Sequence, residues 1–201
     1  MRKVLLGLVV AALATPAFAN DKVKIGEKAP AFSGIPAISP AGEMASLTLS
    51  DLKDDVVVLV FLANHCPAVL SVEDRLNEFT TAYKDKGVRV VGVCVADQDD
   101  DKLPAVAKRI ADKNDAKINY LYGHDETQAI GKAYGAKATP TFFVLDKDRN
   151  VRYIGAFDDS TMKEDKVTKH YVKDAVDALL AGKTPEVTET KAVGCGIGYK
   201  K

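Results

Sequence analysis

Cysteine and histidine are both scarce in this chain, three of each in 201 residues, and neither charge sign is in surplus, with 28 basic against 28 acidic side chains. Three cysteines, Cys66, Cys94 and Cys195, do not make a disulfide-stapled scaffold, and their irregular spacing matches no zinc-site pattern. Their odd number leaves at least one thiol free or mixed. The lack of a basic stripe argues against a nucleic-acid partner, because that binding rests on Lys and Arg neutralising phosphates. There is no internal repeat and no low-complexity block. Past the amino terminus no apolar run approaches the roughly 20 residues that cross a bilayer, so no integral membrane segment is expected.

The amino terminus itself is of another kind. Arg2-Lys3, the apolar stretch Val4 to Leu13 and the small residues Ala17-Phe18-Ala19 have the layout of a secretory signal peptide over residues 1–19, cleaved before Asn20. Loss of Arg2 and Lys3 leaves 26 basic and 28 acidic side chains, a net charge of −2. What remains suits one domain with a substantial core, in a compartment that permits disulfides. We place the domain at 20–183 and a tail carrying Cys195 at 184–201. The acidic cluster Asp97, Asp99, Asp100, Asp101 lacks the spacing, glycine and closing glutamate of an EF-hand and reads as a solvated loop. Neither a cofactor nor a resident metal is expected.

The richest segment runs from Val56 to Val69. A continuous apolar run, as in a buried parallel strand, gives way after Pro67 to a stripe of Val69, Val72, Leu76, Phe79 and Tyr83 at helical period. Asn64 is the expected cap and Pro67 suits the first turn. Cys66 then stands at the positive end of a helix dipole, where free backbone donors favour the thiolate that does disulfide and peroxide chemistry. The alternative is a small buried hydrophobe. His65, if protonated, adds to the effect; otherwise it is a surface residue.

A second buried strand spans Val88 to Ala96, and a helix covers Leu103 to Asp112. Ile118 to Leu121 is a short strand, and a helix opening at Asp125-Glu126-Thr127 runs to Tyr134 with Gly135 as its left-handed cap. Thr141–Leu145 and Val151–Gly155 form an antiparallel hairpin, and Lys166 to Leu180 an amphipathic helix closed by Gly182. This βαβ rhythm indicates an α/β protein with a central sheet flanked by helices. Cys94, inside an apolar strand, reads as an inert core residue. His124, His170 and the helix charges Glu73, Asp74 and Arg75 read as surface positions.

Gly26, Ala29-Pro30, Phe32, the strand running into Cys66-Pro67, Thr139-Pro140 before Phe142-Phe143-Val144-Leu145-Asp146, and the hairpin to Gly155 together resemble the redoxin branch of the thioredoxin-like superfamily. The match covers roughly residues 24–181. Asn64-His65-Cys66-Pro67 with the Gly194-Cys195 tail resembles, more narrowly, secreted bacterial redoxin-domain proteins of the alkyl hydroperoxide reductase/thiol-specific antioxidant type, which implies the bacterial periplasm as the compartment. The resemblance implies a mixed-sheet thioredoxin-like fold, Cys66 as nucleophile, and Pro140 as a cis-proline beside which a peptide substrate pairs. It implies a thiol-based oxidoreductase whose substrate is a disulfide-bearing protein or a peroxide, with an external thiol reductant.

Three departures narrow the chemistry. Val69 replaces the second cysteine of a local pair, Val60 the buried proton-transfer acid, and Ala63 the hydroxyl that meets peroxide. Turnover then needs another thiol. Cys195 could supply it if its Cα comes within about 7 Å of that of Cys66, or it could remain free or partner-linked. The other function class is a non-turnover binding module that captures a partner through Cys66 or takes a thiophilic metal through Cys66 and His65.

Overall fold

A computed structural model describes residues 22–112 and 118–201; the signal-peptide reading lies outside them. The described elements are β1 (Ile35–Ile38), β2 (Met44–Leu47), β3 (Val56–Leu62), α1 (Pro67–Tyr83), β4 (Val88–Cys94), α2 (Leu103–Ala111), β5 (Leu121–His124), α3 (Ala129–Tyr134), β6 (Ala138–Thr139), β7 (Thr141–Leu145), β8 (Val151–Gly155), α4 (Tyr171–Leu180) and β9 (Cys195–Gly196).

Seven strands form one mixed sheet in the order β2-β1-β5-β4-β3-β7-β8. β3, β4 and β5 run parallel, and the other pairings are antiparallel. β3 is central and buried along all seven residues, which is why its sequence is unbroken apolar rather than alternating. Its side chains still alternate between faces. Val56, Val58, Val60 and Leu62 meet α1, α2 and α4, whereas Val57, Leu59 and Phe61 meet α3 and the amino-terminal segment. The whole α1 stripe, Val69 to Tyr83, is buried, and Val69, Leu76, Phe79 and Tyr83 pack against the first of these faces.

The thioredoxin-like mixed α/β architecture is as expected, and the departures are local. The short strand falls at Leu121–His124 rather than at Ile118 to Leu121, because its pairing with β4 is set by the register Val91 opposite Leu121. Asp125 stays outside α3 and ties down its start, accepting from the N–H groups of Thr127 at 3.0 Å and Ile130 at 2.9 Å. The last helix starts at Tyr171, not Lys166, since residues 164–166 form a separate single turn. Gly135 takes the expected left-handed conformation, with φ of 68°.

Residues 184–201 are not a loose tail. The Ile154 N–H donates to the Thr188 carbonyl and the Thr190 N–H to the Ile154 carbonyl, and the Thr190 hydroxyl lies 2.6 Å from the Tyr153 hydroxyl. Beyond that anchor the chain turns back, and β9 pairs antiparallel with β6. Among the described residues no helix is long and apolar enough to cross a membrane.

Candidate active site

Cys66 sits where β3 hands over to α1. The turn Ala63–Cys66 closes with the Cys66 N–H on the Ala63 carbonyl at 3.1 Å, and the Cys66 carbonyl accepts the first helical bond from Leu70. Cys66 itself is therefore the capping residue, and Pro67 is in the first turn as expected. Asn64 does not cap. Its amide donates to the Asp100 carbonyl at 2.7 Å and its carbonyl accepts from Arg109, which is held by Glu73 at 2.7 Å.

Two readings of charged surface are thereby corrected. Glu73 is buried and paired with Arg109, and Arg75, on the same helix, reaches Asp158 at 2.6 Å with both side chains almost wholly enclosed. The acidic run is not one solvated loop either. Asp101 has no exposed surface, and it accepts from the Asn64 N–H at 2.5 Å, the His65 N–H at 3.3 Å and His65 Nδ1 at 2.6 Å. His65 thus spends one ring nitrogen on Asp101. His124 is buried too, with Nε2 2.8 Å from the Ala96 carbonyl. The composition of the segment contained no sign of which aspartate turns inward.

The Cys66 sulfur is fully buried and faces residues from three elements. Its thiol lies 3.3 Å from the Thr139 carbonyl, in the residue joined by a cis peptide bond to Pro140. Across from it, β9 brings Cys195 opposite Thr139 and Gly196 opposite Ala138. Cys195, partly buried, packs against the same cluster of core residues as Cys66. Burial pushes the Cys66 thiol up, but hydrogen bonds from Cys195, Thr139 and Val69 outweigh it, and the thiol lies below the ordinary cysteine range. Cys195 moves the opposite way, held up first by its hydrogen bond to Cys66 and then by desolvation and the neighbouring charge. One thiol is therefore set to ionise and its neighbour to stay protonated. The buried Cys94 is pushed up to about 12, chiefly by burial, which suits an inert core residue.

Cys66 and Cys195 are thus brought together beside the Thr139-Pro140 step, and one ring nitrogen of His65 is taken by Asp101. Sequence reasoning missed Asp101, Arg109 and Thr139; of these, only Thr139, standing before Pro140, carried a local signal. Among the described residues no group of three or more His, Cys, Asp or Glu side chains is arranged to hold a metal ion.

Comparison with known proteins bears on family and fold. Residues 24–171 match the Redoxin family. The chain is 30% identical over 132 residues to the thiol-disulfide oxidoreductase ResA of Bacillus anthracis, covering 66% of this chain and 69% of that protein. The crystal structure of an uncharacterized conserved protein from Geobacillus kaustophilus is 31% identical, with a TM-score of 0.78 over 94% of this chain and 98% of that one. A reduced 2-Cys peroxiredoxin of Plasmodium vivax, 15% identical with a TM-score of 0.56 over 76% and 81% of the two chains, shares the fold.

Proposed function

The chain belongs to the redoxin family, and on that premise we propose that it is a secreted thiol-disulfide oxidoreductase in which Cys66 is the nucleophile and Cys195 the resolving thiol. The observation that carries this reading is the pairing of β9 with β6, which sets the Cys195 thiol against the Cys66 sulfur although 129 positions separate them. It supplies the second thiol that Val69 cannot.

In the first step the Cys66 thiolate attacks one sulfur of a protein disulfide. A mixed disulfide forms and the other substrate sulfur leaves as thiolate. Cys195, losing its proton, then attacks the Cys66 sulfur. The Cys66–Cys195 disulfide forms and the substrate's second thiolate departs, so the substrate has gained two electrons that this chain has lost. An external dithiol returns them. Thr139 and Pro140 form the wall against which the exchanging sulfurs align. Ala63 offers no hydroxyl to a peroxide, which favours disulfides as the substrate class. The domain 20–183 with a functional tail, delivered to the periplasm by residues 1–19, completes the reading.

The test is disulfide mapping by mass spectrometry after the reduced protein, as the only reductant, has reacted with native, disulfide-linked insulin. Wild type should accumulate a Cys66–Cys195 bridge, Cys195→Ser a stable mixed disulfide on Cys66, and Cys66→Ser neither. Insulin reduction that leaves Cys195 free, with Cys66 bridged to a second copy of this chain, would refute it. The binding-module alternative has no comparable support, and His65, committed to Asp101, makes a poor partner to Cys66 for a metal.

A further inference from the structure

The resolving thiol sits on a strand that covers the nucleophile. With β9 in place Cys66 has no exposed surface, and the backbone edge of Ala138–Thr139 is already paired. The docking is close-fitting. A Cβ added at Gly194 would collide with the Thr139 carbonyl and stand 3.2 Å from the Ala68 Cβ. It is also latched further on. The Ile197 N–H donates to the Lys137 carbonyl at 2.9 Å and the Tyr199 hydroxyl to the Ala136 carbonyl at 2.7 Å. The buried Gln128 holds both sides of the strand, donating to the Gly198 carbonyl at 2.9 Å and accepting from the Lys200 N–H at 2.6 Å. Upstream, Thr190 is pinned to β8, so the two anchors bracket residues 191–193, of which Lys191 and Val193 are exposed.

The geometry points to the Ala136–Thr139 edge as a docking surface with two mutually exclusive occupants: residues 194–200 of this chain in the reduced protein, and an extended polypeptide segment bearing a disulfide during turnover. This rests on the proposed oxidoreductase reading and adds a competition to it. An edge of unpaired backbone groups accepts one added strand at a time. The tail must lift for the substrate sulfur to reach Cys66, and must return for Cys195 to attack the mixed disulfide. The same contacts therefore slow the first exchange and speed the second. Small-molecule disulfides, which need no strand edge, feel only the burial of the sulfur.

Gly194→Val in the full chain separates the two effects. Labelling of Cys66 by iodoacetamide, followed by mass mapping, should accelerate about tenfold or more, since a local opening governs access to a buried group. The mixed disulfide formed with native, disulfide-linked insulin should at the same time live about tenfold longer than in wild type. Tyr199→Phe, which removes one latch bond without crowding, should shift both rates the same way by a smaller factor, and circular dichroism checks that both variants are folded. Equal Cys66 labelling in wild type and both variants overturns the proposal, as does faster labelling with no change in the lifetime of the mixed disulfide. If labelling accelerates and none of the three proteins forms a mixed disulfide with insulin, the covering strand stands and the oxidoreductase reading falls.

Discussion

Removing the Asp101 carboxylate should cost stability in a way that its two nearest replacements distinguish. The group is fully buried and serves three donors, the Asn64 N–H at 2.5 Å, the His65 N–H at 3.3 Å and His65 Nδ1 at 2.6 Å. In Asp101→Ala these lose their acceptor. A buried donor left unpaired costs about 1–3 kcal/mol. The Asn64 N–H counts in full. The His65 ring is 27% exposed and can turn to water, and the 3.3 Å contact is weak, so these two add less. The expected loss is about 2–4 kcal/mol. Asp101→Asn keeps an oxygen for the Asn64 N–H and offers its amide to His65 Nδ1, provided the imidazole proton moves to Nε2. Its cost should be near 1 kcal/mol, accompanied by a reversed tautomer. Urea unfolding followed by circular dichroism gives the two free energies, and nitrogen NMR of the imidazole gives the tautomer. Alanine within about 0.5 kcal/mol of wild type, the ordinary range for a surface substitution, would refute the reasoning; so would equal losses for alanine and asparagine.

Other consequences are as direct. Replacing Arg75 by alanine strands Asp158 in a nearly closed site and should destabilise by about 3–5 kcal/mol, whereas Arg75→Ala combined with Asp158→Asn should recover part of that in the same urea assay. Leu76→Ala empties the middle of the buried α1 stripe and should cost about 2–5 kcal/mol. Cys94 carries a pH dependence of definite sign. Its folded-state thiol titrates at about 12, above the ordinary value near 8.5, so its contribution to stability is complete below pH about 8.5 and is lost as pH rises towards 12. Cys94→Ala should therefore lose less stability than wild type on going from pH about 8.5 to 11, and an equal or larger loss would count against the burial argument. For Cys66, whose thiol is lowered by a hydrogen bond from the Cys195 thiol, the midpoint of its pH-dependent alkylation should rise in Cys195→Ala and stay nearly in place in Cys195→Ser, which keeps a donor.

The parts of this protein readable from the sequence are those where one segment's pattern is enough. The unbroken run Val56 to Leu62 indicated a strand covered on both faces, and the period of Val69 to Tyr83 indicated the side of α1 that meets it. The break between them put Cys66 at a helix start. Where two segments must meet, the pattern was silent or misleading. Asp99, Asp100 and Asp101 are alike in sequence, yet only Asp101 turns inward, because the path of the chain after β4 brings it under the Asn64 and His65 amides. Arg75 and Glu73 looked like solvated helix charges until their partners Asp158 and Arg109 were seen to close over them. Asn64 has the composition of a cap but lies two residues too early, and Arg109 claims it instead.

Periodicity and turn chemistry, which act within a few residues, thus determined from sequence alone that a thiol would stand at the mouth of a parallel strand and the start of a helix. They determined as well that no neighbouring cysteine could complete its chemistry. Which thiol is brought to it was decided only by tertiary structure. Cys195 reaches Cys66 because Thr190 bonds to β8, because Gly194 has no side chain to strike Thr139, and because Gln128 and the Ala136–Thr139 edge hold the strand beyond it. Each of these contacts spans many tens of residues, and a local pattern cannot encode where a distant segment will lie.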